Sequence, residues 1–111
     1  MDCIFCKIAK KDIPSTAVLE NDTLIAIKDI NPQAPVHVLI LPKKHYSTIL
    51  ECKDKNLLGD MLSMANQIAE NLGVGKKGFR VVINTNSQGG QTVFHLHMHL
   101  LAGRPLSGAM G

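Results

Sequence analysis

The sequence predicts an α+β protein with about five short, mostly antiparallel strands, one long helix and a short N-terminal helix. Three observations carry this expectation. Apolar residues recur at helical spacing from Asp54 to Leu72. Several other apolar runs are only four to seven residues long and are bounded by Asn, Asp, Gly or Pro. Residues 94–101, Phe-His-Leu-His-Met-His-Leu-Leu, alternate imidazole with apolar side chains at the period of a strand. With 111 residues and no repeat, linker or shift of composition, the chain reads as one domain, 1–111.

Taken in order, residues 3–10 suit a short helix with Ile4, Phe5 and Ile8 on its buried side, ended by Lys11-Asp12-Ile13-Pro14-Ser15. Ala17 to Glu20 and Leu24 to Lys28 read as two strands of a hairpin turning at Asn21-Asp22. Asp29-Ile30-Asn31-Pro32-Gln33-Ala34-Pro35 is a proline-stiffened loop. Its carboxylate suits either a ribose contact or a capped turn. Val36 to Pro42 is apolar on both faces, as in a central strand. In the long helix Leu57, Leu58, Met61, Leu62, Ala65, Ile68, Ala69 and Leu72 form the apolar stripe, with Asp54 as N-cap and Gly73 as C-terminal stop. Phe79 to Asn84 is a fourth strand, and Asn84 at its end offers an amide to a ligand. The tail from Gly103 to Gly111 is small and irregular, suited to disorder or to packing on a neighbour.

Composition narrows the function classes. The chain is 45% hydrophobic and 19% charged, with a net charge of +3 and a pI near 8.9. That balance fits a small anion such as a nucleotide, and lacks the dense Lys/Arg stripe that duplex DNA requires. Three Phe, one Tyr and no Trp give no base-stacking platform for single strands. No apolar run is long enough to span a bilayer. Met1-Asp2-Cys3-Ile4 does not open a signal peptide, so a cytoplasmic location with reduced cysteines is expected.

The histidine strand would place His95, His97 and His99 on one face and Leu96, Met98 and Leu100 on the other. Such a row suits a metal site, a ligand-facing catalytic row or simply a polar strand face. The loop before it, Ser87-Gln88-Gly89-Gly90-Gln91-Thr92, can bring backbone N–H groups close to a phosphate. Residues 84–103 contain no Asp or Glu, which weakens a metalloenzyme built on this strand. His37 and His45, each alone on its segment, read by default as structural. Cys3 and Cys6 form C-x-x-C, a zinc half-site or a redox pair, and the lack of a preceding strand favours metal. Cys52 reads as a plain thiol.

His95-Leu96-His97-Met98-His99-Leu100-Leu101 resembles the His-x-His-x-His-x-x signature of the histidine triad (HIT) superfamily. Asp29 to His37, Leu41 to His45, Val81 to Asn84 and Gly89 to Phe94 resemble its Hint-like, purine nucleoside phosphoramidase-like branch of bacterial type. The resemblance covers nearly the whole chain. It implies the HIT fold and cleavage at the α-phosphate of purine nucleoside phosphoramidates such as AMP-lysine, through a nucleotidyl-histidine. By position, His97 is the implied nucleophile, His99 a phosphate-side group and His37 a fourth histidine that supports orientation. Asp29 and Ile30 match ribose contacts, and Asn84, Gly90, Gln91 and Thr92 match phosphate-side contacts, with N–H groups of Gln91 and Thr92 on the phosphate. Thr92 stands where the family has serine, so the hydroxyl is kept and a methyl is added.

The resemblance further implies a structural zinc on Cys3, Cys6, His45 and His95, with no metal needed for the chemistry. It implies a homodimer with one continuous sheet; composition, as above, leads to the expectation of no nucleic-acid or membrane partner. The end of the chain, Leu106 to Gly111, lacks the tryptophan-containing tail of the animal branch, which leaves the leaving group open. Three other activities compete: dinucleoside polyphosphate hydrolysis within the same superfamily, metal-dependent hydrolysis using the histidine strand, and nucleotide binding without catalysis.

Overall fold

The computed structural model describes residues 3–110; Met1, Asp2 and Gly111, and the parts of the N-terminal and one-domain readings that fall on them, lie outside the described residues. The elements run α1 (Ile4–Ala9), β1 (Ala17–Glu20), β2 (Leu24–Lys28), β3 (Val36–Pro42), α2 (Lys55–Asn71), β4 (Phe79–Val82) and β5 (Met98–Ala102). Short 3-10 turns at Ile49–Glu51 and Ser87–Gly89 were not foreseen from the sequence. Among the described residues no helix is long and apolar enough to cross a membrane.

The five strands form one antiparallel sheet in the order β1-β2-β3-β5-β4. The β1–β2 hairpin turns as its sequence predicts: the Asn21 side-chain oxygen accepts from the N–H groups of Thr23 and Leu24 at 2.9 and 2.8 Å. β3 and β4 both pair antiparallel with β5, so they run the same way, and α2 supplies the crossover between them. Asp54 caps α2 by accepting from Leu57 N–H at 3.0 Å. Gly73, at φ +73°, ends it, with Val74 N–H reaching back to the Ala69 carbonyl.

β3 is buried on both faces, as its unbroken apolar run requires. On one face Val38 and Ile40 join Leu24, Ala26, Met98 and Leu100 beneath Met61, Ala65 and Ile68 of α2. On the other, Leu39 and Leu41 join Ile25 and Ile27 beneath Phe5 and Ile8 of α1. The first face is the main core; the second carries the site.

Four details depart from the sequence reading, each for a geometric reason. Ile4 is 50% exposed, because a six-residue helix lying on the sheet covers only the Phe5 and Ile8 side. Leu62 and Leu72 are about half exposed while Met64 is buried, because a helix on a flat sheet hides a narrow stripe. Leu62 sits one residue, roughly 100° of helix rotation, past that stripe. β4 ends at Val82, and Asn84 lies beyond it, because in the register that sets Val82 against His99 it would face His97, which precedes β5. The third and fourth details are linked: His95 and His97 precede β5 and lie outside the sheet ladder, and only His99 lies in the strand. The alternation survives, since Leu96, Met98 and Leu100 all enter the α2-side core.

Candidate active site

The chain brings two clusters of imidazoles together along the α1 face of the sheet. The first gathers Cys3, Cys6, His45 and His95, whose ligand atoms all lie within 4.8 Å of one another. Cys3 caps α1, its Sγ accepting from Cys6 N–H at 3.3 Å. His95 Nδ1 lies 3.3 Å from Cys3 Sγ and 3.4 Å from Cys6 Sγ, and His45 Nδ1 lies 3.3 Å from Cys6 Sγ. Tetrahedral zinc with ordinary bond lengths separates sulfur from nitrogen by about 3.5 Å, so these spacings fit. The outer nitrogens agree: His95 Nε2–H donates to the Pro42 carbonyl at 2.7 Å, which leaves the Nδ1 lone pair aimed at the sulfurs. His45 Nε2 lies 3.5 Å from Ser47 Oγ. The cluster could hold a metal ion.

The second cluster is a relay. Gln33 N–H donates to His37 Nδ1 at 3.0 Å. An amide N–H can only donate, so the His37 proton is on Nε2. That nitrogen lies 2.9 Å from His99 Nδ1 and 3.4 Å from Asp29 Oδ2. His99 Nδ1 therefore accepts, and its own proton is on Nε2. Asp29, His37 and His99 have the composition of a metal-binding triad and lie close enough together to form one. Here, however, their lone pairs converge on the His37 proton; coordination through His37 Nε2 would force the proton onto Nδ1, against the Gln33 N–H.

His97 stands between the clusters. Its Nδ1–H donates to the His95 carbonyl at 2.7 Å, which makes Nε2 the lone-pair nitrogen. Its ring is 8% exposed and centred 5.1 Å from the His99 ring. The edge-to-face ring of Phe5 is centred 5.0 Å away. His95 and His97 alternate along one segment, one turned to the cysteines and one to the relay.

Burial, with His97 and His37 adding to it, pulls His99 down to about 4. Burial likewise lowers His37, against the opposing pull of the Asp29 carboxylate. His99 is thus neutral at pH 7. Its folded value lies below the unfolded one, so the unfolded chain takes up more protons between pH 6.5 and about 4. Stability is therefore greatest above pH 6.5 and falls as the pH drops through that window. An imidazole NMR titration is expected to give His99 a midpoint near 4, while denaturant midpoints decline from pH 7 to pH 4.5.

The remaining predicted site residues divide. Asp29 and Ile30 line an open cleft of about 650 Å³ with Ile4, Ile8, Ile13 and Ile27, and Ile30 is 99% exposed. Asn84 is half-buried beyond the end of β4, and Thr92 is exposed. Gly90 adopts φ +83°, a left-handed turn that its missing Cβ permits. Gln91 differs from the phosphate contact expected of it. It is 6% exposed, and its amide donates to the carbonyls of Ser47 and Val93 at 2.8 and 3.1 Å and accepts from Asn86 N–H at 2.8 Å. Its own N–H donates to the Asn86 carbonyl at 3.0 Å. Gln91 thus staples the loop and holds Asn86 at φ 60°. Gln91→Ala leaves those partners unsatisfied and is expected to cost about 1–3 kcal/mol in denaturation, with faster hydrogen exchange over residues 86–93.

Sequence reasoning missed Gln33, Pro42 and Phe5. Gln33 and Pro42 act through backbone groups, which leave no residue-type signal. Phe5 reads as an ordinary core aromatic.

Fold and site together define an α+β protein whose sheet presents a lone-pair histidine beside a neutral histidine relay. The model of the HIT domain matches residues 10–106, and the chain belongs to the HIT domain family. It is 45% identical over 107 residues to the purine nucleoside phosphoramidase of Escherichia coli K12, covering 95% of this chain and 90% of that protein. It is 50% identical over 108 residues to an uncharacterised HIT-like protein of Synechocystis, covering 96% and 94%. A crystal structure of a HIT family hydrolase from Legionella pneumophila matches with a TM-score of 0.96 at 46% identity, covering 99% of this chain and all of that one. A histidine triad protein from Clostridium difficile matches at 0.95 and 47%, covering 99% and 97%. The predicted HIT fold is the one observed.

Proposed function

We propose that the protein is a single-domain hydrolase, spanning 1–111, of purine nucleoside phosphoramidates, acting through a nucleotidyl-His97 intermediate. The observation that carries this reading is the 2.7 Å bond from His97 Nδ1–H to the His95 carbonyl, which makes Nε2 the nitrogen with the free electron pair in the neutral ring. That pair attacks the α-phosphorus, a P–Nε2 bond forms and the P–N bond to the amine breaks. His99 Nε2–H donates a hydrogen bond to the charge that develops, and the departing amine takes its proton from solvent water; His37 and Asp29 hold the His99 ring. Water then attacks the same phosphorus, the P–Nε2 bond breaks and the water's extra proton passes to solvent, which releases the nucleoside monophosphate and returns His97 to its starting form. The similarity to the Escherichia coli enzyme supports the substrate class.

The apolar cleft beside Asp29 and Ile30 suits a purine base and its ribose, and Thr92 N–H with Asn84 and Gly90 suits the phosphate. Cys3, Cys6, His45 and His95 suit a structural zinc that ties α1 to the sheet, away from the reacting nitrogen. The free edge of β4, with half-exposed Val81 on it, suits pairing with a second copy in a homodimer. Light scattering of the purified chain tests that pairing. The activity itself is tested by rapid quench with adenosine 5′-phosphoramidate followed by peptide mass spectrometry. An AMP adduct on His97 supports the reading. Turnover with no adduct on any histidine defeats it.

A further inference from the structure

His97 lies outside the hydrogen-bonded ladder, since β5 begins one residue later at Met98. Among the described residues its ring makes one hydrogen bond, to the carbonyl two residues back. One bond fixes a nitrogen but leaves the ring free to swing about it. The His99 and Phe5 rings both pack against it and restrain the swing. Phe5 is 8% exposed and meets His97 at 78° and His95 at 79°, with centroids 5.0 and 5.9 Å away. Edge-to-face contacts of this kind bias a ring population by a factor of about two to ten each.

Phe5 is itself held firmly. It sits between Cys3 and Cys6, and the sulfurs on either side of it meet His95 Nδ1 at 3.3 and 3.4 Å. The same His95 supplies the carbonyl that takes the His97 proton. The cysteine–histidine cluster therefore grips the nucleophile by two routes, through the His95 backbone and through the Phe5 ring. We propose that α1 is a brace for the attacking nitrogen, and that Phe5 is a positioning residue holding the His97 ring at the angle from which Nε2 reaches phosphorus. The inference rests on the nucleotidyl-histidine reading for its consequence in rate. Its structural content, a locked ring in a single tautomer, stands apart from turnover.

The test is Phe5→Leu, which keeps an apolar side chain beneath α1 and every metal-ligating group. With ¹⁵N-labelled histidine, wild-type His97 is expected to show one sharp Nδ1-protonated signature and cross-relaxation with the Phe5 ring. In Phe5→Leu that signature is expected to broaden or split. The turnover number is expected to fall about ten- to hundredfold with KM within twofold, and bound metal per chain to stay unchanged. An unaltered His97 signature, or a rise in KM alone, overturns the proposal. If Phe5→Leu does not fold, the wild-type spectrum decides: a His97 ring that averages two tautomers, or shows no contact with Phe5, overturns it as well. An adduct on His97 in wild type with no response to Phe5→Leu defeats the brace and leaves the catalytic reading intact. A locked ring without an adduct supports the brace and defeats the catalytic reading.

Discussion

His97→Ala is expected to abolish turnover of adenosine 5′-phosphoramidate, by at least about a thousandfold, while nucleotide still binds. The expectation follows from the separation of roles on the sheet. On the proposed reading, binding draws on the cleft beside Asp29 and on the Gly90–Thr92 loop, and His97 does not line that cleft. On the same reading, bond formation draws on one electron pair, at His97 Nε2. His99 Nδ1 accepts from His37, and His95 Nε2 donates to Pro42. His97 is buried, so truncation opens a small cavity, but its one side-chain hydrogen bond is to a carbonyl and no buried charge is stranded. The variant is thus expected to fold, and a nucleoside monophosphate titration should give a Kd within a few-fold of wild type. Retained turnover would mean that water, not His97, attacks phosphorus. His99→Ala should behave differently, losing part of the rate while still forming the adduct, because it removes a hydrogen-bond donor to the phosphate and leaves the nucleophile in place.

Elements set by local chemistry were legible in the sequence, and contacts set by backbone geometry were not. β1, β2 and β3 fall where their apolar runs and turn residues place them, because Asn21 and the stretch from Asp29 to Pro35 admit little else. The N-cap at Asp54 and the stop at Gly73 bound α2 as written. The histidine row misled in one respect. A period of two predicts which face each side chain takes, and that held. It says nothing of whether the backbone is paired with β3 or β4, and at residues 95–97 it is not: Leu96 N–H donates instead to the Tyr46 carbonyl. Gln91 misled for a related reason. Its position in a glycine loop marks the loop as special without saying whether the amide faces a ligand or closes the loop on itself. The tautomers of His37 and His97, on which the chemistry turns, depend on the Gln33 N–H and the His95 carbonyl, groups that every residue carries.

Removing one cysteine should have the largest effect on stability. The Cys3, Cys6, His45 and His95 cluster joins α1 to the sheet across some 90 residues of chain, and α1 has only six residues and two buried apolar side chains to hold it otherwise. A metal bound in the folded state at about a thousandfold above its Kd contributes about 4 kcal/mol, which for a chain of this size is about 10–20 °C in Tm. Cys6→Ser is therefore expected to melt lower by about that amount. In wild type a strong chelator should produce the same drop, and in Cys6→Ser none. Burial raises the Cys6 thiol above its ordinary range, and Cys3 beside it adds to the effect, so loading must expel protons. Metal affinity is accordingly expected to weaken as the pH falls below neutral, and the chelator-sensitive part of Tm to shrink with it. A chelator that leaves the wild-type Tm unmoved at pH 8, with metal analysis showing less than one equivalent per chain, would show that the four side chains hold α1 by packing and hydrogen bonds alone.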